Sequence, residues 1–426
     1  MRFVSTRGDA PPVPFSEAIL QGLAPDGGLY VPESWPSIDV DALHPSGTLE
    51  ELAVQVLRPF LEGDELEGEL ESICRRAFDF PMPLVHLEHR TSVLELFHGP
   101  TAAFKDFGAR FLATCFETLL GRRAERLTVL VATSGDTGAA VAAASHRRER
   151  IRVGILYPDG GVAPRQQQQL TCWDDNVQSF AVRGTFDDCQ RLVKAAFGRV
   201  GWPAVGRLSS ANSINIGRLL PQTAYYAVAS LWYRRDQGRH AGFIVPSGNI
   251  GNAVGAFWAK RLGFPVREIA LAANANRVVP DWFGSGEWKP RPSVKTLANA
   301  MDVGDPSNME RLFHLYPERE AMLADAASLA VDDDTIRAEI GAGPERWGRI
   351  WCPHTATAAH FRNRLPGEDW VIVATAHPAK FDTIVEPLVG HPVGTPPRLR
   401  ELLERVTSYE TIDADLEQLV SQMGDG

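Results

Sequence analysis

Cysteine is scarce and scattered in this chain: Cys74, Cys115, Cys172, Cys189 and Cys352 are the five among 426 residues. No C-x-x-C pair occurs, and an odd, irregular set is not a disulfide framework. A reducing cytoplasm is therefore the expected compartment. Long apolar runs are also missing. No stretch reaches the ~18 uninterrupted apolar residues that a membrane span needs, and the opening MRFVSTRGDAPPVPF has no apolar signal-peptide core. Clustered positive charge is the third absence. Fifty-three acidic residues stand against 43 basic ones, a net charge of −10, and no basic stripe offers nucleic acid a cationic surface. The acidic balance reads as a solubility property. Neither nucleic acid nor membrane is expected as a partner.

Several catalytic signatures are lacking too. Neither G-x-G-x-x-G nor G-x-x-x-x-G-K-[ST] occurs, which disfavours ordinary dinucleotide and P-loop sites. No G-x-S-x-G elbow or protease-type cysteine context is present. His86 and His89 of HLEH stand three apart without a third ligand, so satisfied or solvent-exposed histidines are expected rather than a metal site. His354 and His360, six apart, do not share one helical face. Asp332–Asp334 reads as a solvated charge run, and Gln166–Gln169 as helix surface.

What is present is ordinary globular composition, 44% hydrophobic and 23% charged, in a chain long enough for two or three lobes. The first ninety residues read as a mostly helical cap: ELAVQVLRPFL (51–61) and GELESICRRAF (68–78) carry apolar residues at helical spacing. After Pro81 and Pro83, strands and helices alternate. VLELF (93–97), LTVLVAT (127–133), IRVGILY (151–157), VQSFAV (177–182), FIVPS (243–247), REIALAAN (267–274) and WVIVAT (370–375) read as strands, and long helices are predicted over 106–120 and 216–233. The stretch 280–345 reads as irregular loop and helix. Such alternation implies an α/β fold with parallel sheets covered on both faces. The division expected is 1–90 (cap), 91–240 (a lobe carrying a reactive lysine, with the smaller lobe) and 241–426 (the remainder of the larger lobe). In parallel sheets ligands bind beyond the carboxyl ends of strands.

Four strand-end loops could do chemistry there. In HGPTAAFKDFG (98–108), Lys105 stands before a helix amid Phe104 and Phe107, where desolvation would lower its pKa and make a usable amine nucleophile; a snorkelling lysine is the alternative. Ser134, Gly135, Asp136, Thr137 and Gly138 join a strand to an alanine-rich helix, either as an anion site or as a capped β–α turn. Ser247, Gly248, Asn249, Ile250, Gly251 and Asn252 repeat that arrangement as a possible phosphate nest or a plain turn. In TAHPAKF (375–381), Thr375 could bond a ring nitrogen while His377 and Lys380 meet an anion; a surface turn is the other reading. Asn212, Ser213, Asn215 and Arg218 could hold a second phosphate, or could be a helix cap with a surface arginine.

An amine nucleophile, two anion nests and a hydroxyl for a ring nitrogen together suit pyridoxal phosphate and an anionic substrate. ELFHGPTAAFKDFG, ATSGDTGAAV, ANSINIGRLL, VPSGNIGN, NAMDVGDPSN, VDDDT and ATAHPAKF, with GLAPDGGLYVP (22–32), resemble the threonine synthases of the shorter bacterial and fungal type, in order over about residues 1–420. The resemblance implies fold type II of the pyridoxal-phosphate enzymes, two open parallel-sheet α/β lobes with a helical N-terminal cap. It implies Lys105 as Schiff-base lysine and proton shuttle, with Phe104 and Asp136 beside the cofactor. Ser247 to Asn252 would cradle the cofactor phosphate, and Thr375 would face the pyridine nitrogen. Ser134 to Gly138 would bind the substrate carboxylate, and Asn212, Ser213, Asn215, Arg218 and Lys380 the substrate phosphate. The implied reaction turns O-phosphohomoserine and water into threonine and phosphate, in a monomer or homodimer. The alternatives are a related phospholyase that releases 2-oxobutyrate and a non-catalytic ligand-binding homologue.

Overall fold

The alternating strands and helices form two parallel sheets. The computed structural model describes residues 1–198, 206–365 and 367–424. Its strands are β1 (Phe3–Ser5), β2 (Tyr30–Pro32), β3 (Leu84–His86), β4 (Thr91–Glu95), β5 (Leu127–Ala132), β6 (Ile151–Pro158), β7 (Val177–Arg183), β8 (Arg207–Ser210), β9 (Ala241–Pro246), β10 (Val266–Ala273), β11 (Ala326–Ala330), β12 (Trp370–Ala374) and β13 (Glu410–Asp413). The larger sheet has the order β11-β10-β9-β12-β4-β3 and the smaller β13-β7-β6-β5-β8. Every pairing in both is parallel except β3 with β4. Strands β5, β9 and β12 are buried along their whole length, which is why they read as unbroken apolar runs rather than alternating ones.

The cap is helical over Phe15–Gln21, Leu49–Leu57 and Leu70–Ala77. It also contains an antiparallel β1–β2 ribbon that helical spacing did not announce. The stretch 280–345 is more ordered than expected, since it supplies edge strand β11 and the helix Asp333–Trp347. Asp332 caps that helix by accepting from Thr335 N at 2.8 Å, and Asp333 accepts from Leu297 N at 3.0 Å. The run is therefore partly structural rather than only solvated charge. Among the described residues no helix is long and apolar enough to cross a membrane.

Two long helices, Lys105–Arg123 and Ile216–Gln237, run through the main core. They touch at Gly108, where an added Cβ would stand 2.4 Å from the Arg218 carbonyl oxygen. A backbone atom gives way only if a helix moves. Gly108→Ala is therefore expected to lower stability by about 1–3 kcal/mol, read as a lower midpoint in urea unfolding. An unchanged midpoint would show that the two helices can separate freely.

Candidate active site

Loops from the carboxyl ends of β4, β5, β9 and β12 meet around Lys105. The loop after β4 is tied to the loop after β12 through the main chain: Phe104 N donates to Thr375 O at 2.8 Å, and His377 N to Ala102 O at 3.0 Å. Asp106, fully buried, accepts from Thr101 N at 2.9 Å and Thr101 Oγ1 at 2.7 Å, holding the loop to the start of its own helix. Lys105 opens that helix, its Nζ 6.0 Å from the centre of the Phe104 ring. Burial pushes its pKa down to about 8; Arg218 and Lys380 push the same way, and Asp136 opposes them. The amine is thus far easier to deprotonate than an ordinary lysine.

The loop after β5 is built on Thr133. Its Oγ1 accepts from Gly135 N and Gly138 N, each at 3.0 Å. Gly135 has φ +139°, and a Cβ there would lie 2.7 Å from Gln166 Nε2, so only glycine fits. Ser134 and Thr137 are its half-buried members. Asp136 begins the helix Asp136–Ser145 and is almost fully buried. Its Oδ1 receives Lys380 Nζ at 2.9 Å and Gln166 Nε2 at 3.2 Å. Burial alone would raise its pKa, but Lys380 and Lys105 outweigh that and hold the carboxyl well below the usual range.

This places the glutamine run differently from the surface expected of it. Gln166 and Gln169 are wholly buried; Gln166 also accepts from Asn299 Nδ2 at 3.0 Å, and Gln169 donates to Thr101 O at 3.2 Å. Hydropathy alone marks glutamine as outside, and only a partner supplied by another loop reverses that.

The loop after β9 carries a backbone outlier. Ile250 has φ +64°, costly for a β-branched residue. Gly248 is pressed against Met301, whose Cα would stand 2.5 Å from an added Cβ. Ser247 donates its Oγ to Val245 O at 2.9 Å, and Asn249 bridges to Ser213 Oγ at 2.7 Å. Asn252 Oδ1 accepts from the hydroxyls of Tyr225 and, at 2.9 Å, Tyr226. The main-chain N–H groups at the start of the helix Gly251–Arg261 have no acceptor within the helix and could receive an anion.

The segment before the second long helix divides between structure and site. Asn215 caps that helix through Gly217 N at 2.9 Å, and its Nδ2 donates to Ile19 O and Ser210 O; it is fully engaged in holding the backbone. Arg218 is buried rather than on the surface, donates Nη1 to Ala211 O and leaves Nε without a partner. Ser213 and Asn212 are half-buried beside it. Lys380 does not stand free beside Arg218. It is wholly buried and divides its ammonium between Asp136 and Thr101 O, the latter at 2.7 Å. Thr375 is buried, with its main chain engaged as described.

His354 is a site neighbour that the sequence reading missed, having weighed it only against His360. Its Nε2 accepts from Ala300 N at 3.1 Å, which puts the proton on Nδ1, and that atom is buried without a partner. Burial pushes its pKa down to about 4, so the ring is neutral. Asn212 Oδ1, Arg218 Nε, Asn252 Nδ2, Asn299 Oδ1 and His354 Nδ1 are all buried and unpaired. Buried polar atoms are normally bonded; Arg218 Nε, Asn252 Nδ2 and His354 Nδ1 are donors that an anion could satisfy, and the two amide oxygens are acceptors for a ligand's own N–H or O–H groups.

Family models cover almost the whole chain: threonine synthase N terminus over residues 2–78, pyridoxal-phosphate dependent enzyme over 81–376, and threonine synthase C-terminal over 354–423. The chain belongs to the threonine synthase family. A threonine synthase of Haemophilus influenzae is 38% identical over 409 residues, 96% of each chain. The solved pyridoxal-phosphate-bound threonine synthase of Brucella melitensis superposes with a TM-score of 0.93 at 33% identity, covering 100% of this chain and 99% of that one. That of Escherichia coli gives 0.91 at 37%, covering 99% of each. The fold type II architecture and the cofactor of the threonine synthase family thus apply to this chain.

The residues fit pyridoxal phosphate: a low-pKa amine for its aldehyde, a glycine-lined nest for its phosphate, and the unpaired Asn252 Nδ2 beside that nest. Gly248→Ala, which drives a Cβ into Met301, is expected to weaken cofactor retention about tenfold or more. Titration by visible absorbance checks this, and an unaltered affinity would remove the 247–252 loop from the cofactor site.

Proposed function

We propose that this chain converts O-phosphohomoserine and water into threonine and phosphate, with Lys105 as the proton-transferring amine. The observation that carries the reading is Arg218. A buried guanidinium with a free Nε stands one helical contact from Lys105, because an added Cβ at Gly108 would lie 3.1 Å from that Nε. Gly108 lies one turn beyond Lys105 on the same helix face. An amino acid with a phosphate at its far end spans that arrangement, and serine, lacking such a group, would leave the arginine without a counter-charge.

Pyridoxal phosphate supplies an aldehyde for the substrate amine and a conjugated ring that accepts electrons. Ser134, Thr137 and the N–H groups at the start of Asp136–Ser145 are assigned to the substrate carboxylate, and Ser247 to Asn252 to the cofactor phosphate. Thr375 is assigned to the pyridine nitrogen. Arg218, with Asn212 and Ser213, is assigned to the substrate phosphate; a planar guanidinium suits its oxygens. Neutral Lys105 takes the Cα proton and hands it on before it takes the Cβ proton, phosphate departs from Cγ, and Lys105 returns the Cβ proton to Cγ. Water adds at Cβ with its second proton leaving to the departed phosphate, and the proton at Cα is restored. Each transfer uses one nitrogen, so Nζ must be able both to bind and to release a proton near neutral pH. The five free, buried cysteines support a cytoplasmic location.

The first test follows phosphate and amino-acid products together from O-phosphohomoserine: equal phosphate and threonine are expected, whereas phosphate with 2-oxobutyrate would sink the synthase reading in favour of a phospholyase. Lys105→Ala is expected to lose the cofactor's covalent visible band and essentially all turnover. Arg218→Ala should raise KM by a factor of roughly 10–100, the loss of a charge-assisted contact; unaltered KM and kcat would refute its assignment. Because the base must be neutral, turnover should fall as pH drops through about 8, where Lys105 becomes protonated. A flat rate profile from pH 7 to 9 would contradict this.

A further inference from the structure

We propose that Lys380 is a positioning residue for Lys105: by holding Oδ1 of Asp136 it draws that carboxylate away from the amine and sets the pH at which the amine can take a proton. The inference rests on Lys105 being the cofactor-bearing base, and it replaces the expected role of Lys380 as a substrate-phosphate ligand.

The geometry argues for this in three ways. First, Lys380 has no solvent-accessible surface, and a buried ammonium persists only with partners. Its partners are Asp136 Oδ1 at 2.9 Å and Thr101 O at 2.7 Å. Turning it toward a substrate phosphate would leave Asp136 buried without that counter-ion. Second, Asp136 cannot follow such a turn. Its Oδ1 is also held by Gln166 Nε2 at 3.2 Å, and the Gln166 amide is in turn fixed by Asn299. No described residue donates to Oδ2, so one carboxylate oxygen is anchored and the other is open. Third, the pair links the two sheets. Asp136 follows β5 of the smaller sheet, and Lys380 follows β12 of the larger, in the 3-10 turn Pro378–Phe381. The loop bearing Lys380 is bonded to the loop bearing Lys105 through Phe104 N and Thr375 O.

The groups that face Lys105 can be named from each element around it. They are Asp136, Arg218 from the long helix Ile216–Gln237, Lys380, and neutral His354 from the helix Pro353–Arg362. On its own helix Asp106 is buried and pushed by that burial toward its neutral form. Asp136 is thus the carboxylate whose charge acts on the amine, and Lys380 is the cation that fixes where it stands. Removing Lys380 deletes a like charge and frees Asp136 for the amine; both effects raise the pKa of Lys105. Removing the carboxylate does the opposite.

The test measures two pH midpoints on full-length protein: the acid limb of kcat in the holoenzyme, and the rate at which the protein captures added pyridoxal phosphate, followed by its visible band. Lys380→Met is expected to move both midpoints up by about one pH unit, and Asp136→Asn to move both down by about one. The double variant should fall between the singles, and Lys380→Arg should restore the parent midpoint. Shifts of the same sign in the two single variants, or none in either, would overturn the proposal. So would a raised KM for O-phosphohomoserine in Lys380→Met with its midpoints unmoved, the signature of a substrate ligand. If Lys380→Met does not fold, as judged by circular dichroism, Asp136→Asn, the double variant and Lys380→Arg still carry the comparison. A Lys105→Ala protein that kept the covalent visible band would instead refute the underlying assignment of Lys105.

Discussion

Two main-chain hydrogen bonds organise this site. Phe104 N to Thr375 O and His377 N to Ala102 O join loops separated by some 270 positions along the chain. They flank an antiparallel bridge between Ala103 and Ala376 that lies just beyond the parallel β12–β4 pair, so the register of that pair and this bridge together decide where Lys105, Thr375 and Lys380 stand relative to one another. A one-residue slip would turn every side chain of the pair to its opposite face. Because both strands are buried along their length, that slip would exchange side chains between two close-packed faces and mispack both, and register is firmly specified.

Charge is arranged locally against the global balance. The chain carries −10 overall, yet Lys105, Arg218 and Lys380 converge in one buried region, where Asp136 is held ionised and Asp106 is pushed toward neutrality. The local field is therefore cationic in a low-dielectric setting, where each charge acts more strongly than in water. An anionic ligand answers the unpaired donors and the excess positive charge together. The pKa of Lys105, lowered chiefly by burial, follows from the same arrangement.

Backbone strain lies where anion donors are concentrated. Ile250 at φ +64° and Gly135 at φ +139° each stand at a helix N-terminus in a strand-end loop. These conformations are held by contacts from elsewhere: Met301 against Gly248, Gln166 against Gly135, and Ser213 against Asn249. Donors fixed before a ligand arrives need little rearrangement when it binds.

The amino-acid sequence by itself determined the central strands, the long helices, the parallel α/β class and most of the site's chemistry. Central parallel strands are buried on both faces and leave unbroken apolar runs, and glycine-rich turns with an isolated lysine are visible without any partner. The strands that went unread within the two sheets, β3, β8, β11 and β13, are the edge strands. An edge has one neighbour and a wetter face, so its residues carry a weak apolar signal. Tertiary structure alone decided which polar residues are internal. Gln166, Gln169, Lys380 and His354 look like surface residues in one dimension, and become buried network members only because other loops supply their partners. Hydropathy is a property of one residue, whereas satisfaction of a buried polar group is a property of at least two, brought together by pairings hundreds of residues apart.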